Sequence, residues 1–358
     1  FGSLGSANLD CRQDGAKLDA SRREFYIFNS TIAGIDAADA VLLIGTNPRR
    51  EAPVLNARLR KRYLAAAGHL PIGVVGEAAD LTYAFTHVGE AATALSSITK
   101  DAAGFAEKFH AAERPLVIVG QGALSGADGA AVFAEAWRLA GEAGALKPDW
   151  HGFNVLHTAA ARVGGLDLGF VPGAGGLDLA GMMGGGVDLL WLLGADEFDT
   201  ARIGAETFVV YQGHHGDRGA ARADVILPGS AYTEKDGTYV NTEGRVQRGY
   251  RALFAPGDAR EDWRILRAFS ATIGHALPYD DLDALRARLD RQNPVFGRVG
   301  LARFGASDTA GPASGDLDAA SLKSAVPDYY LTNPISRASL TMAECSRIAP
   351  GPLAVAAE

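Results

Sequence analysis

The sequence predicts an α/β fold of the doubly wound kind, built on mostly parallel sheets. Three observations predict it: short uninterrupted runs of β-branched and other apolar residues, glycine-rich breaks directly after them, and helix-period segments after the breaks. At 358 residues, 47% of them hydrophobic, the chain buries a sizeable core, and its length suggests roughly two domains.

The first unit of the pattern is ADAVLLIGTNPRREAPVLNARLRKRYLAAAG, from residue 38. Residues 41–44 read as a buried strand, the Gly-Thr-Asn-Pro break as a loop, and the rest as a helix with Leu55, Leu59 and Tyr63 on one face and Gly68 as its stop. Residues 71–76, PIGVVG, supply another short strand. The pattern returns after Arg114 as PLVIVG, a QGALSGADG turn and an alanine-rich helix. Further strands are predicted at 187–193, 207–211 and 223–227. These make one or two doubly wound units, which we divide as 1–112 and 113–256, with the boundary in the charged segment before Arg114.

Helices follow. Residues 257–274 read as an amphipathic helix in which Asp258 and Glu261 have capping-box spacing and Trp263, Leu266 and Ile273 form the buried stripe. A second helix is predicted over 281–292, with Leu282, Leu285 and Leu289 on one face and Pro294 beyond its end. The helical segment is taken as 257–300. Residues 301–327 are poor in large apolar side chains and read as a flexible linker, and 328–358 as a tail.

Composition excludes several function classes. A formal net charge of -8 gives no reason to expect a nucleic-acid partner. The longest strongly apolar stretch, 187–195, is too short for a ~30 Å bilayer core and contains Asp188. The opening has no signal-peptide pattern and starts at Phe1, which suggests a piece of a longer chain. Cys11 and Cys345 stand at opposite ends, so neither an iron-sulfur cluster nor a zinc site can be assembled from local motifs, and low cysteine usage suits a reducing compartment.

Four groups of residues are candidates for chemistry. Gly120, Gly122 and Gly126 follow a strand and open a helix, where a dinucleotide phosphate meets backbone N–H groups, although the spacing is one residue longer than the dinucleotide fingerprint and a plain strand-to-helix turn explains it too. The run GMMGGG, 181–186, reads as a mobile loop. Arg49, Arg50, Arg58, Arg60, Lys61 and Arg62 form a basic cluster able to hold an acidic group, or else a solvated helix face. His214 and His215 sit in a loop at a strand end, and extended backbone would send adjacent side chains to opposite sides, a poor joint metal site. Lastly, ADVILPGSAYTEKDGTYVNTEGRVQ reads as a structural corner: Pro228 ends a buried strand, Asp236-Gly237 makes a hairpin-type turn, and Glu243, Gly244 and Arg245 make a tight turn. No catalytic, cofactor-binding or metal-binding residue is assigned.

That last stretch resembles the signature of the molybdopterin oxidoreductase superfamily, on Leu227, Pro228, Glu234, Gly237, Thr238, Asn241, Glu243, Gly244 and Arg245. Gly45, Asn47 and Pro48 resemble its strand-end loop. The blocks around residues 28–64, 211–245 and 333–345 narrow the resemblance to the family of large, G-type iron-sulfur subunits of NADH:quinone oxidoreductase, respiratory complex I. The resemblance implies a molybdopterin-oxidoreductase-type fold without a cofactor in this chain. It implies a structural scaffold in the peripheral arm, with 2Fe-2S and 4Fe-4S clusters carrying electrons from NADH to quinone in a cysteine-rich amino-terminal region that this sequence lacks. It also implies NADH-binding and iron-sulfur subunits as partners, and a peripheral location on the cytoplasmic side of a bacterial inner membrane, equivalent to the mitochondrial matrix side. The rivals are an active molybdopterin enzyme of the formate dehydrogenase kind and a nucleotide-binding module using Gly120 to Gly126.

Overall fold

The computed structural model describes residues 4–300 and 309–349. Its centre is a five-stranded sheet of β1 (Ala40–Ile44), β2 (Ile72–Val75), β3 (Thr86–Gly89), β4 (Pro115–Val119) and β7 (Phe153–Val155). Their order is β3-β2-β1-β4-β7, with every neighbouring pair parallel. A two-residue ribbon, β5 (Leu146–Lys147) with β6 (Trp150–His151), precedes β7.

Alternation along the buried strands builds a core on each face. Leu42, Ile44, Val117 and Val119 face one cluster, with Phe105, Phe109, Phe133 and Trp137, while Val41, Leu43, Leu116 and Ile118 face the other, with Leu55 and Leu59. The helices Pro53–Ala65, Phe105–Ala111 and Gly129–Glu142 supply those side chains, so the sheet is wound on both faces as predicted.

The expected boundary at residue 112 is corrected, because β1 and β4, on either side of it, are hydrogen-bonded neighbours. The charged segment there is anchored rather than free. Asp39 accepts the N–H groups of Glu113 and Arg114, each at 2.8 Å, and so fixes the entry to β4 beside the start of β1.

A second parallel sheet is formed by β8 (Leu189–Leu193), β9 (Phe208–Gly213) and β10 (Val225–Pro228), with β9 in the middle. One face packs Leu190, Leu192, Val209 and Tyr211 against Met182 and Met183. The 181–186 run is thus a wound turn with two buried methionines and not a mobile loop. The other face leaves Leu189, Leu193 and Phe208 exposed, and β10 carries exposed Val225 and Ile226, so its strand is an edge rather than the buried strand predicted.

The antiparallel hairpin of β11 (Gly237–Val240) and β12 (Val246–Gly249) turns at 241–245, not at Asp236-Gly237. Helix Asp262–Thr272 begins after Glu261, and Asp258 does not cap it; Trp263 and Leu266 are half-buried, and Ile273 is exposed. The second predicted helix is present as Leu282–Gln292, capped by Asp281, which accepts the Ala284 N–H at 2.7 Å. Residues 309–324 are not a free linker: 309–318 are tied to the helix Gly129–Glu142 and 321–324 to the strand-end loops of the first sheet. The expected linker residues 301–308 lie outside the described residues. The tail forms short helices at Pro334–Arg337 and Leu340–Ile348.

Candidate functional site

In an open parallel sheet wound on both faces, ligands bind beyond the carboxyl ends of the strands where the order reverses. Here that point lies between β1 and β4. Gly45 follows β1 with a φ of +55°, and a Cβ there would overlap the backbone of Ala123. Gly120 likewise backs onto Thr46. The two loops therefore touch through glycine backbone, with Gly122 at the lip of the crevice; Gly126 lies against Asp128 instead.

The phosphate position of such a crevice is taken by the chain itself. Glu51 Oε1 accepts the Asn47 N–H at 2.9 Å, and its Oε2 accepts the Thr46 hydroxyl at 2.6 Å. Ser324, from the pinned segment, donates its hydroxyl to the same Oε1 at 2.8 Å. A Cβ on Gly122 would overlap the Lys323 carbonyl oxygen. A phosphate placed at Asn47 would meet a bonded N–H and a carboxylate, so the residues present do not fit a phosphate-bearing cofactor here.

The carboxyl edge of the second sheet is also covered. The Arg337 guanidinium reaches Asp217 at 2.5 Å, Asp196 at 3.2 Å and Glu197 at 3.5 Å, on the loops after β9 and β8. In the same loop His214 and His215 do not point apart: their Nδ1 atoms lie 2.7 Å from each other. Among the described residues, no group of three or more His, Cys, Asp or Glu is arranged to hold a metal, and both cysteines are free thiols. Burial pushes the Cys11 thiol up to about 11, which leaves it an inert neutral group at neutral pH.

The basic cluster disperses, as the solvated-face reading expected. Arg49 pairs with Asp80, Arg58 with Asp36 at 2.9 Å, and Arg60 and Arg62 donate to the carbonyls of Thr82 and Ala38.

The signature stretch is a corner that ties three parts of the fold together. Gly244, at φ +77°, closes the turn, and its carbonyl accepts from Arg23 at 2.8 Å. Glu243 accepts the Ile32 N–H at 3.0 Å and holds Arg245 at 3.2 Å. Burial alone would raise the Glu243 carboxyl, but the Ile32 N–H, Arg245 and Asn241 hold it below its ordinary range. Beside the corner lies a cavity of about 370 Å³ lined by His157, Val163, Tyr239, Asn241, Thr242 and Gln247. Burial drops the His157 pKa to about 4, so the ring is neutral; Nε2 sits 2.6 Å from the Tyr26 carbonyl and must donate there. Sequence reasoning missed His157, whose only signal was a place shortly after an unrecognised three-residue strand.

We expect Glu243→Ala to cost about 2–3 kcal/mol, since it leaves the Ile32 N–H without its acceptor and leaves Arg245 with the Gly300 carbonyl alone. Denaturant midpoints check this: Glu243→Gln should recover part of the loss, and a shift below about 0.5 kcal/mol for alanine would show the corner to be incidental.

Fold and site together define a doubly wound α/β chain of the cofactor-binding type whose strand-end crevices are covered by its own carboxy-terminal segment. Residues 1–272 match the family described as molybdopterin oxidoreductase, and the chain belongs to that family. Residues 301–345 match the family of carboxy-terminal segments of the G subunit of NADH-ubiquinone oxidoreductase. Its relatives include the mitochondrial NADH-ubiquinone oxidoreductase 78 kDa subunits of Neurospora crassa, 44% identical over 90% of this chain, and Candida albicans, 44% identical over 96%. The NADH dehydrogenase [ubiquinone] iron-sulfur protein 1 of Solanum tuberosum is 40% identical over 96%. The chain spans 44%, 48% and 46% of those three proteins, so it corresponds to about half of each.

Proposed function

We propose that this chain is the cofactor-free scaffold portion of a peripheral-arm subunit of NADH:quinone oxidoreductase. In this reading it docks against the NADH-binding and iron-sulfur subunits, while electrons pass from NADH to quinone through 2Fe-2S and 4Fe-4S clusters held elsewhere. The observation that carries the reading is the first crevice, where Glu51 and residues 321–324 stand in the place of a phosphate-bearing cofactor.

Two further features support it. Phe208, Ile226, Tyr250, Leu253 and Phe254 are exposed, as apolar side chains that a partner covers would be. Among the described residues, no helix is long and apolar enough to cross a membrane, which suits a peripheral position; we place it on the cytoplasmic side of a bacterial inner membrane.

Elemental and cofactor analysis of the purified chain tests the reading against that of an active molybdopterin oxidoreductase. The expected result is no molybdenum, no tungsten and no extractable pterin. Stoichiometric molybdenum with pterin would overturn it and make the chain an enzyme in its own right.

A further inference from the structure

We infer that the crevice between β1, β2 and β4 is a peptide-binding site, and that residues 321–324 of the same chain are its ligand. The contacts are those by which an extended peptide is recognised at a sheet. Ser321 forms an antiparallel bridge with Ala91. Leu322 donates its N–H to the Glu90 carbonyl at 2.8 Å and accepts the Glu77 N–H on its own carbonyl at 2.9 Å. Its side chain is 5% exposed, sunk into the core cluster that contains Ile44, Val75 and Ala123.

The crevice is cut to this shape. Gly76, at φ +131°, would place a Cβ 3.0 Å from the Leu322 carbonyl oxygen, and Gly122 lies directly under that of Lys323. Both backbones come this close only because both positions lack a side chain. Lys323 points to solvent and Ser324 reaches Glu51, so the class of ligand is an extended segment of the form Ser-Leu-x-Ser.

Upstream residues tether the ligand along the helix Gly129–Glu142. Trp137 Nε1 donates to the Thr309 carbonyl at 3.1 Å, Gly311 packs on the same indole, and the Asp318 N–H donates to Asp128 at 2.9 Å. Such a tether keeps the local concentration of the ligand near the millimolar range. A competitor in solution must exceed that.

Hydrogen exchange on the full chain tests the assignment. Leu322→Asp removes the anchor and is expected to speed exchange at the Glu77 amide and in the loops 45–51 and 120–124 by about tenfold or more. The loops 194–197 and 214–217, held by Arg337, should keep their protection. A millimolar peptide of residues 317–327 should restore the crevice loops, and a scrambled peptide should not. The milder Ser324→Ala, for use if the aspartate variant does not fold, should speed the Glu77 amide several-fold. The inference is overturned if the crevice loops of the folded variant exchange as in the parent, or if the peptide restores nothing. Cofactor analysis tests the scaffold role by a separate readout, so either idea can fail alone.

Discussion

Replacing Trp137 with alanine is expected to remove about 3–5 kcal/mol of stability, a large part of what a typical domain has. The indole is 2% exposed and packs edge-on against Phe25 and Phe153, with centroids 4.7 and 4.9 Å away. Its loss empties the centre of the larger core cluster and also frees the Thr309 carbonyl. Denaturant unfolding of the purified variant measures the first effect. Exchange rates over 309–318 measure the second, and a variant that loses stability while those residues stay protected would show that the indole does not hold them. Trp137→Phe, which keeps an aromatic ring and drops the donor, should fall between the two.

The second large effect is a loss of stability on mild acidification. His151 and His157 both have pKa values lowered by burial from 6.5 to about 4. His151 lies 3.5 Å from Glu24, but Arg22 already neutralises that carboxylate and adds its own repulsion of a protonated ring. Above pH 6.5 both rings are neutral in folded and unfolded chain alike, so stability is full there. Between 6.5 and about 4 the unfolded chain binds protons that the folded one refuses, and stability falls with falling pH. The ceiling is about 3 kcal/mol for each histidine, reached near pH 4. Unfolding midpoints at pH 7, 6 and 5 check it. The double variant His151→Gln, His157→Gln should show a flatter profile over that range, and an unchanged slope would remove these two rings as the cause.

Much of the central sheet could be read from the chain because burial on two faces forces β-branched runs. VLLI and PLVIV needed no partner to be recognised. The strands Thr86–Gly89 and Phe153–Val155 were missed because one is an exposed edge and the other only three residues long. The covered crevice was missed for a different reason. Composition reports on side chains, whereas residues 309–324 are held mainly through their own backbone groups and one buried leucine. Gly122 was singled out for the approach of a dinucleotide, and close approach is indeed why it lacks a side chain, but the group that approaches is the Lys323 carbonyl. In the signature corner, the tight turn at Glu243, Gly244 and Arg245 was legible from its residues, while the Ile32 N–H on the Glu243 carboxylate, far away in sequence, was not.

The segment that fills the crevice comes about 200 residues after the glycine it covers, so this contact has a very high sequence separation. During synthesis at about 5–20 residues per second, the five-stranded sheet can assemble some ten seconds or more before Lys323 is made. For that interval the strand-end loops stand open, and Leu322 is the piece whose arrival completes the surface. A ribosome stalled between residues 260 and 305 is therefore expected to hold the sheet with its strand-end glycines uncovered, open to a small molecule that the finished chain keeps out with Leu322 and Lys323.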